Sequence, residues 1–134
     1  EGEVIEAPTV SSPCKYRLVQ RFKESVLSTS SNQAGLFERV DAQGRATGPV
    51  VLVFRGSGTA FDSDTFKDWA NNMRLFPSKC TLPLSGATIG RCHSGFEHGL
   101  QSLEAHMGPL RATLALAKRN GASEILVGGS SLGA

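Results

Sequence analysis

The chain has 134 residues and a mass of 14.2 kDa, enough for one domain with a modest hydrophobic core. Its 40% hydrophobic and 19% charged residues are typical of a globular protein. A formal net charge of +2, with the basic residues scattered, argues against nucleic acid or an anionic membrane surface as a partner. We expect no transmembrane segment, because no apolar run reaches the roughly 18 residues of a membrane-spanning helix.

The N-terminal third contains one predicted helix and two predicted strands. Residues 1–15 are predicted to form an extended arm that precedes a domain over residues 16–134. The apolar spacing from Tyr16 to Leu27 predicts an amphipathic helix. Gly35–Val40 and Val50–Phe54 are predicted to be two strands of a hairpin. The second of these is unbroken apolar (VVLVF), which is typical of a strand covered on both faces.

Helical spacing dominates the next part of the chain. Residues 61–76 are predicted to form a helix that Pro77 ends. Between Phe96 and Asn120, apolar residues recur in steps of three and four, which predicts one face of a long helix packed on the core. Gly108 and Pro109 interrupt this pattern, so we expect a kink or two tandem helices there. The apolar positions are Phe96, Leu100, Leu103, Met107, Leu110, Leu114 and Ala117.

A last strand is predicted over Glu124–Gly128, after a stop at Asn120 and Gly121. Strands alternating with helices indicate an α/β fold, and the last strand is expected to lie parallel to VVLVF through a right-handed crossover.

Three cysteines, Cys14, Cys80 and Cys92, are an odd number without CxxC spacing, which argues against a zinc site. We expect no metal and no cofactor. A disulfide between Cys80 and Cys92 would close a loop of about 12 residues and stabilise the fold by about 3 kcal/mol. It would also indicate an oxidising compartment, either outside the cell or in an organelle lumen. Three reduced thiols are the alternative that the sequence leaves open.

The last residues of the chain carry the most specific motif. Gly129, Ser131 and Gly133 match GxSxG directly after the apolar strand. In a nucleophile elbow of this form, a serine lies on a tight strand-to-helix turn. With 15 glycines and 15 serines in the chain, a chance match has odds of roughly one in five, so the preceding strand is what gives the motif weight. The alternative is an ordinary glycine-rich turn.

A second motif, FRGS, follows the first buried strand at Phe54–Ser57. Acyl transfer needs backbone N–H donors for the developing oxyanion, one from the residue after the nucleophile and one from a loop after a neighbouring strand. Leu132 and Ser57 occupy these two places, and the Ser57 hydroxyl could add a side-chain donor.

Four motifs in order, namely FRGS, DWANNM, HSGF and the GxSxG elbow, resemble the class 3 (fungal-type) triacylglycerol lipases over residues 35–134. The resemblance implies an α/β-hydrolase-like sheet with flanking helices, present only up to the elbow and therefore incomplete. It also implies a serine hydrolase that acts on a lipid or other acyl ester. By this resemblance Ser131 is the nucleophile, and Ser57 and Leu132 are the oxyanion donors. The resemblance also implies three structural segments: a lid-like segment over residues 58–65, a helix that includes residues 68–72, and a turn over His93–Phe96.

The chain departs from the lipase pattern in two ways. Ser130 and Ala134 replace a histidine and a glycine that are common in family elbows. The aspartate and histidine of the family's triad follow the elbow, so we expect this chain alone to be inactive. An upstream histidine is an improbable substitute, because His93 lies in the HSGF turn, and His98 and His106 lie off the apolar stripe.

Two other functions compete with the hydrolase interpretation. The chain could be a non-catalytic accessory or structural subunit of a larger assembly, in which a protein partner covers an unpaired sheet edge. The elbow could also be a nucleotide-binding loop. Two observations argue against a nucleotide-binding loop: the glycines do not match GxGxxG, and such loops usually follow the first strand of a domain.

Overall fold

A computed structural model describes residues 3–7, 14–23, 33–55 and 77–130. These residues form an α/β arrangement of a mixed sheet and two helices. In chain order the elements are β1 (Val4–Ala7), β2 (Cys14–Lys23), β3 (Gln33–Val40), β4 (Ala46–Phe54), β5 (Pro77–Thr81), β6 (Thr88–His93), α1 (Ser94–Met107), α2 (Pro109–Asn120) and β7 (Ile125–Gly129).

The larger sheet has the strand order β1-β2-β3-β4-β7 among the described residues. Its first four strands are antiparallel neighbours, and β7 pairs with β4 in parallel. The chain returns from β4 to β7 through both helices, as parallel strands require a long connection. The predicted hairpin and the predicted parallel strand are therefore confirmed. The strand β1 lies within the predicted extended arm.

The predicted helix over Tyr16–Leu27 is wrong, because its described part is the strand β2. The pairing with β3 shifts between Leu18 and Gln20, which indicates a β-bulge. Leu18 is therefore opposite Phe37, whereas Phe22 is opposite Ala34 on the other face of the sheet. The bulge places apolar residues at a spacing that imitates a helix, and hydrogen bonding to strands on both sides overrides it. Residues 24–27 lie outside the described residues.

The core lies between the two helices and one face of the larger sheet. Val50 and Leu52 of β4 are fully buried, whereas Val53, on the opposite face, is 36% exposed. Both described helices pack on the face of β4 that carries Val50 and Leu52, so the predicted cover of the strand is found on that face and not over Val53 among the described elements. The buried residues of this core are Phe22, Ala34, Leu36, Val50, Leu52, Leu103, Leu116 and Ala117.

The expected interruption between the two helices is confirmed at Gly108, which has a left-handed backbone with φ of +62°. Its N–H donates to the carbonyl of Glu104 and ends α1, and Pro109 begins α2. The buried Glu104 carboxylate accepts a hydrogen bond from the N–H of Leu110 at 2.8 Å. Gly121, also left-handed, ends α2 as predicted.

The prediction of one continuous apolar face is only partly correct. Leu103 and Ala117 are buried, whereas Phe96, Met107 and Leu114 are 47%, 36% and 52% exposed. The buried stripe of α1 runs through Gly95, Gly99 and Leu103, and that of α2 through Pro109, Thr113 and Leu116. Glycine, proline and threonine thus face the core at positions that a count of large apolar residues does not include.

Candidate active site

The candidate site lies where β4 and β7 end side by side. Phe54 is paired with Gly129, and the N–H of Ser130 donates to the Phe54 carbonyl at 3.4 Å. One step further along β4, the N–H of Arg55 donates to the carbonyl of Gln33 at 3.0 Å. The described residues of FRGS and of the elbow, Phe54, Arg55, Gly129 and Ser130, therefore lie side by side at the carboxyl ends of two parallel strands, where open α/β sheets commonly bind ligands.

The three predicted site residues, Ser57, Ser131 and Leu132, lie outside the described residues. So do the lid-like segment over residues 58–65 and the predicted helix over residues 61–76, which includes residues 68–72. The described structure brings together the strands that precede Ser57 and Ser131.

The strand before the elbow is exposed along its whole length. Among the described strands, β7 lies at one edge of the sheet, next to β4 alone. The exposed fractions of Ile125, Leu126 and Val127 are 38%, 46% and 65%. Three consecutive apolar side chains at an edge are unusual, because edge strands commonly carry charges or prolines that prevent further pairing.

The predicted turn over His93–Phe96 is instead the end of β6 and the first residues of α1, which begins at Ser94. His93 is the N-cap residue of α1, and its Nδ1 atom accepts a hydrogen bond from the Gly95 N–H at 3.2 Å. Its ring lies 4.7 Å from the ring of Phe96, centroid to centroid. This arrangement agrees with the structural role that the resemblance implies.

The other two histidines lie on exposed surface, as expected. His98 is exposed on α1. His106 is also exposed, and its Nδ1 atom lies 2.8 Å from the carbonyl oxygen of Ser102, one turn earlier on the same helix.

Sequence reasoning missed the hairpin of β5 and β6 and the carboxylate that joins it to α1. The Ser78 hydroxyl donates to one oxygen of Glu97, and the Thr81 N–H donates to the other at 3.1 Å. Gln101, one turn further along α1, donates to the Thr81 carbonyl at 2.8 Å. The available sequence signal was the turn-forming residues Pro83, Ser85 and Gly86 between two short β-prone runs. In the structure Gly86 has a left-handed φ of +69°.

The cysteines are free thiols. The neighbouring Cys80 thiol, together with partial burial and the nearby charge of Glu97, raises the pKa of the Cys92 thiol to about 11. The structure therefore contains the reduced alternative of the two that the sequence left open.

Metal and membrane features are absent from the part of the chain that the structure describes. Within residues 3–7, 14–23, 33–55 and 77–130, no group of three His, Cys, Asp or Glu side chains could hold a metal ion. Neither of the helices in these ranges has the length and apolarity needed to cross a membrane. Comparison with protein-family models, with curated proteins and with solved structures finds no match.

Proposed function

We propose that the protein is a lipase-like serine hydrolase whose substrates are acyl esters, such as triacylglycerols or related lipids. The pairing of Phe54 with Gly129 carries this proposal, because it places the strands that lead into FRGS and into the elbow next to each other. The same pairing is what an α/β-hydrolase-like site requires of its nucleophile strand and its oxyanion loop.

In the proposed reaction the Ser131 hydroxyl attacks the ester carbonyl carbon, and a general base removes its proton. The carbonyl oxygen becomes an oxyanion that accepts hydrogen bonds from the backbone N–H groups of Ser57 and Leu132. The carbon–oxygen bond to the alcohol then breaks, the protonated base returns the proton to the alcohol, and water hydrolyses the acyl-serine. We assign the base to none of His93, His98 and His106, since His93 caps α1 and the other two lie on exposed helix surface. Because a serine hydroxyl without a base is a poor nucleophile, we expect residues 1–134 alone to be inactive.

Chain connectivity supports the placement of these groups. Neighbouring strands of a sheet lie about 5 Å apart, and consecutive Cα atoms about 3.8 Å apart. Ser57 follows Arg55 by two residues, and Ser131 directly follows Ser130. The two serines therefore follow the described ends of two adjacent strands at short distances along the chain.

The direct test is ester hydrolysis by the native polypeptide, isolated from its source, with p-nitrophenyl butyrate and a triacylglycerol emulsion as substrates. The variant Ser131→Ala should lower kcat by about 10⁴-fold or more, as removal of the nucleophile does in serine hydrolases. Ser130→Ala is the matched control, and it should retain activity within about tenfold. Equal activity of the two variants would exclude Ser131 as the nucleophile.

A non-catalytic accessory or structural subunit is the alternative function, and the exposed strand β7 supports it. An apolar edge strand can pair with a strand of another protein, by addition to the sheet. This alternative predicts that the native protein copurifies with other subunits in a fixed ratio and hydrolyses no ester.

A further inference from the structure

Cys80 and Cys92 lie on the same face of the β5–β6 hairpin. Ser78 is paired with Cys92, and Cys80 is two residues further along β5, so side-chain alternation places all three on one face. This face meets α1, where Glu97 accepts hydrogen bonds from the Ser78 hydroxyl and the Thr81 N–H.

A β-bulge adjusts the spacing between the two cysteines. Lys79 is paired with Arg91 and Thr81 with Thr88, so Cys80 alone is opposite Ile89 and Gly90. Diagonal neighbours in a regular antiparallel pair are about 7–8 Å apart between Cα atoms, slightly beyond the range of a disulfide. A bulge increases the local twist, and the Cys80 thiol lies near enough to Cys92 to raise the pKa of the Cys92 thiol.

The hairpin holds the two cysteines in this position by contacts on both sides of the pair. At one end the Leu82 N–H donates to the Ala87 carbonyl at 2.9 Å. At the other end the Arg91 guanidinium donates to the Pro77 carbonyl at 3.2 Å. Cys80 and Cys92 are both partly exposed, so a small reagent can reach them.

We propose that Cys80 and Cys92 form a reversible disulfide by exchange with a low-molecular-weight disulfide such as oxidised glutathione. One cysteine thiolate attacks a glutathione sulfur, which breaks the glutathione S–S bond, releases one glutathione thiolate and leaves a mixed disulfide on the protein. The second cysteine thiolate then attacks the protein sulfur of that mixed disulfide and releases the second glutathione thiolate. The two protein thiols lose two protons and two electrons, and the glutathione disulfide gains them as two thiols.

The consequence of the bond is a covalent link between β5 and β6 next to the N-terminus of α1. Cys92 is followed directly by His93, the N-cap residue of that helix. Because the thiolate is the reacting form, the raised pKa of the Cys92 thiol slows any step in which Cys92 is the attacking group. This inference is independent of the proposed hydrolase function.

The test is a peptide map of the whole chain after incubation with oxidised or with reduced glutathione, followed by alkylation and digestion with trypsin. Trypsin cleaves after Lys79 and after Arg91, so the two cysteines fall in separate peptides, 80–91 and 92–111, and Cys14 falls in a third. The oxidised sample should contain peptides 80–91 and 92–111 joined by a disulfide. Two of the three thiols should then be protected from alkylation. In the reduced sample all three cysteine thiols should be alkylated.

Cys14→Ser is the matched control and should leave this link intact, whereas Cys80→Ser and Cys92→Ser should each abolish it. Joined peptides that include Cys14, or links only between two copies of the chain, would overturn the proposal. Stable glutathione adducts on both Cys80 and Cys92 would overturn it as well, because the second exchange step would then have failed.

Discussion

Phe54 and Gly129 are paired residues of two parallel strands, and the next residue, Ser130, donates its N–H to the Phe54 carbonyl. Phe54 begins FRGS, and Gly129 begins the GxSxG elbow. The two motifs start 75 positions apart in the sequence but at paired residues of one sheet. The proposed roles of Ser57 and Ser131 depend on this pairing.

Replacement of the Ser57 hydroxyl tests the oxyanion site. In the native protein, Ser57→Ala should lower kcat/KM for p-nitrophenyl butyrate by about 10²-fold, because a side-chain donor is lost while the backbone N–H remains. Ser85→Ala, in an exposed turn, is the control and should have no effect. Equal kcat/KM values for the two variants would show that the Ser57 hydroxyl does not stabilise the oxyanion.

The buried ion pair of Glu38 with Arg17 should contribute much more to the free energy of unfolding than the exposed ion pair of Glu3 with Arg21. The Glu38 side chain accepts two hydrogen bonds from Arg17, at 2.9 and 2.6 Å, and one from Asn120 at 2.6 Å. Glu38→Gln should lower the free energy of unfolding by about 2–3 kcal/mol, because charge-assisted bonds to a buried group are lost.

Glu3→Gln is the matched control for Glu38→Gln in urea denaturation. The pair of Glu3 with Arg21 has side chains that are 63% and 74% exposed, so its loss should cost less than about 0.5 kcal/mol. Equal losses for the two variants would contradict the assigned role of Glu38 in joining the sheet to α2.

Gly108 connects the two helices with a left-handed backbone, which a Cβ atom disfavours. Gly108→Ala should lower the free energy of unfolding by about 1–2 kcal/mol. Gly128→Ala is the control, since no atom lies within 4 Å of the added Cβ and its φ is outside the left-handed region. Circular dichroism during urea denaturation measures both, and an unchanged midpoint for Gly108→Ala would contradict the left-handed connection.

Asp41 predicts a pH dependence for the β3–β4 turn. Hydrogen bonds from the backbone N–H groups of Arg45 and Gln43, and an ion pair with Arg45, lower the pKa of its carboxyl below the ordinary value of 3.8. A lowered pKa in the folded state means that the stabilisation is present above pH 3.8 and is lost as the pH falls through the folded-state pKa.

The thermal midpoints of the wild type and of Asp41→Asn should therefore differ near pH ~6 and converge near pH ~2. A difference that stays constant over this range would show that the Asp41 charge is not responsible.

Patterns within single segments predicted the centre of the fold. The unbroken apolar runs that became β4 and β7, and the Gly108–Pro109 interruption between helices, all depend on residues close together in the chain. The bulge between Leu18 and Gln20 was not predictable in this way, because it depends on pairing with β3.

The contacts of Glu97 and Glu38 also lay beyond sequence reasoning. Glu97 reaches Ser78 across 19 positions, and Asn120 reaches Glu38 across 82. No local spacing marks such partners, since they meet only after the helices pack on the sheet. The elbow and FRGS, by contrast, were recognisable because each follows its own apolar strand directly.

Covalent labelling of the native polypeptide with a fluorophosphonate tests the assignment of Ser131 most directly, since this probe reacts with an activated serine. Mass spectrometry of the digested protein should find the adduct on Ser131 and none on the neighbouring Ser130. Absence of any adduct on the intact native protein, or an adduct confined to another serine, would contradict the assignment of Ser131 as the nucleophile.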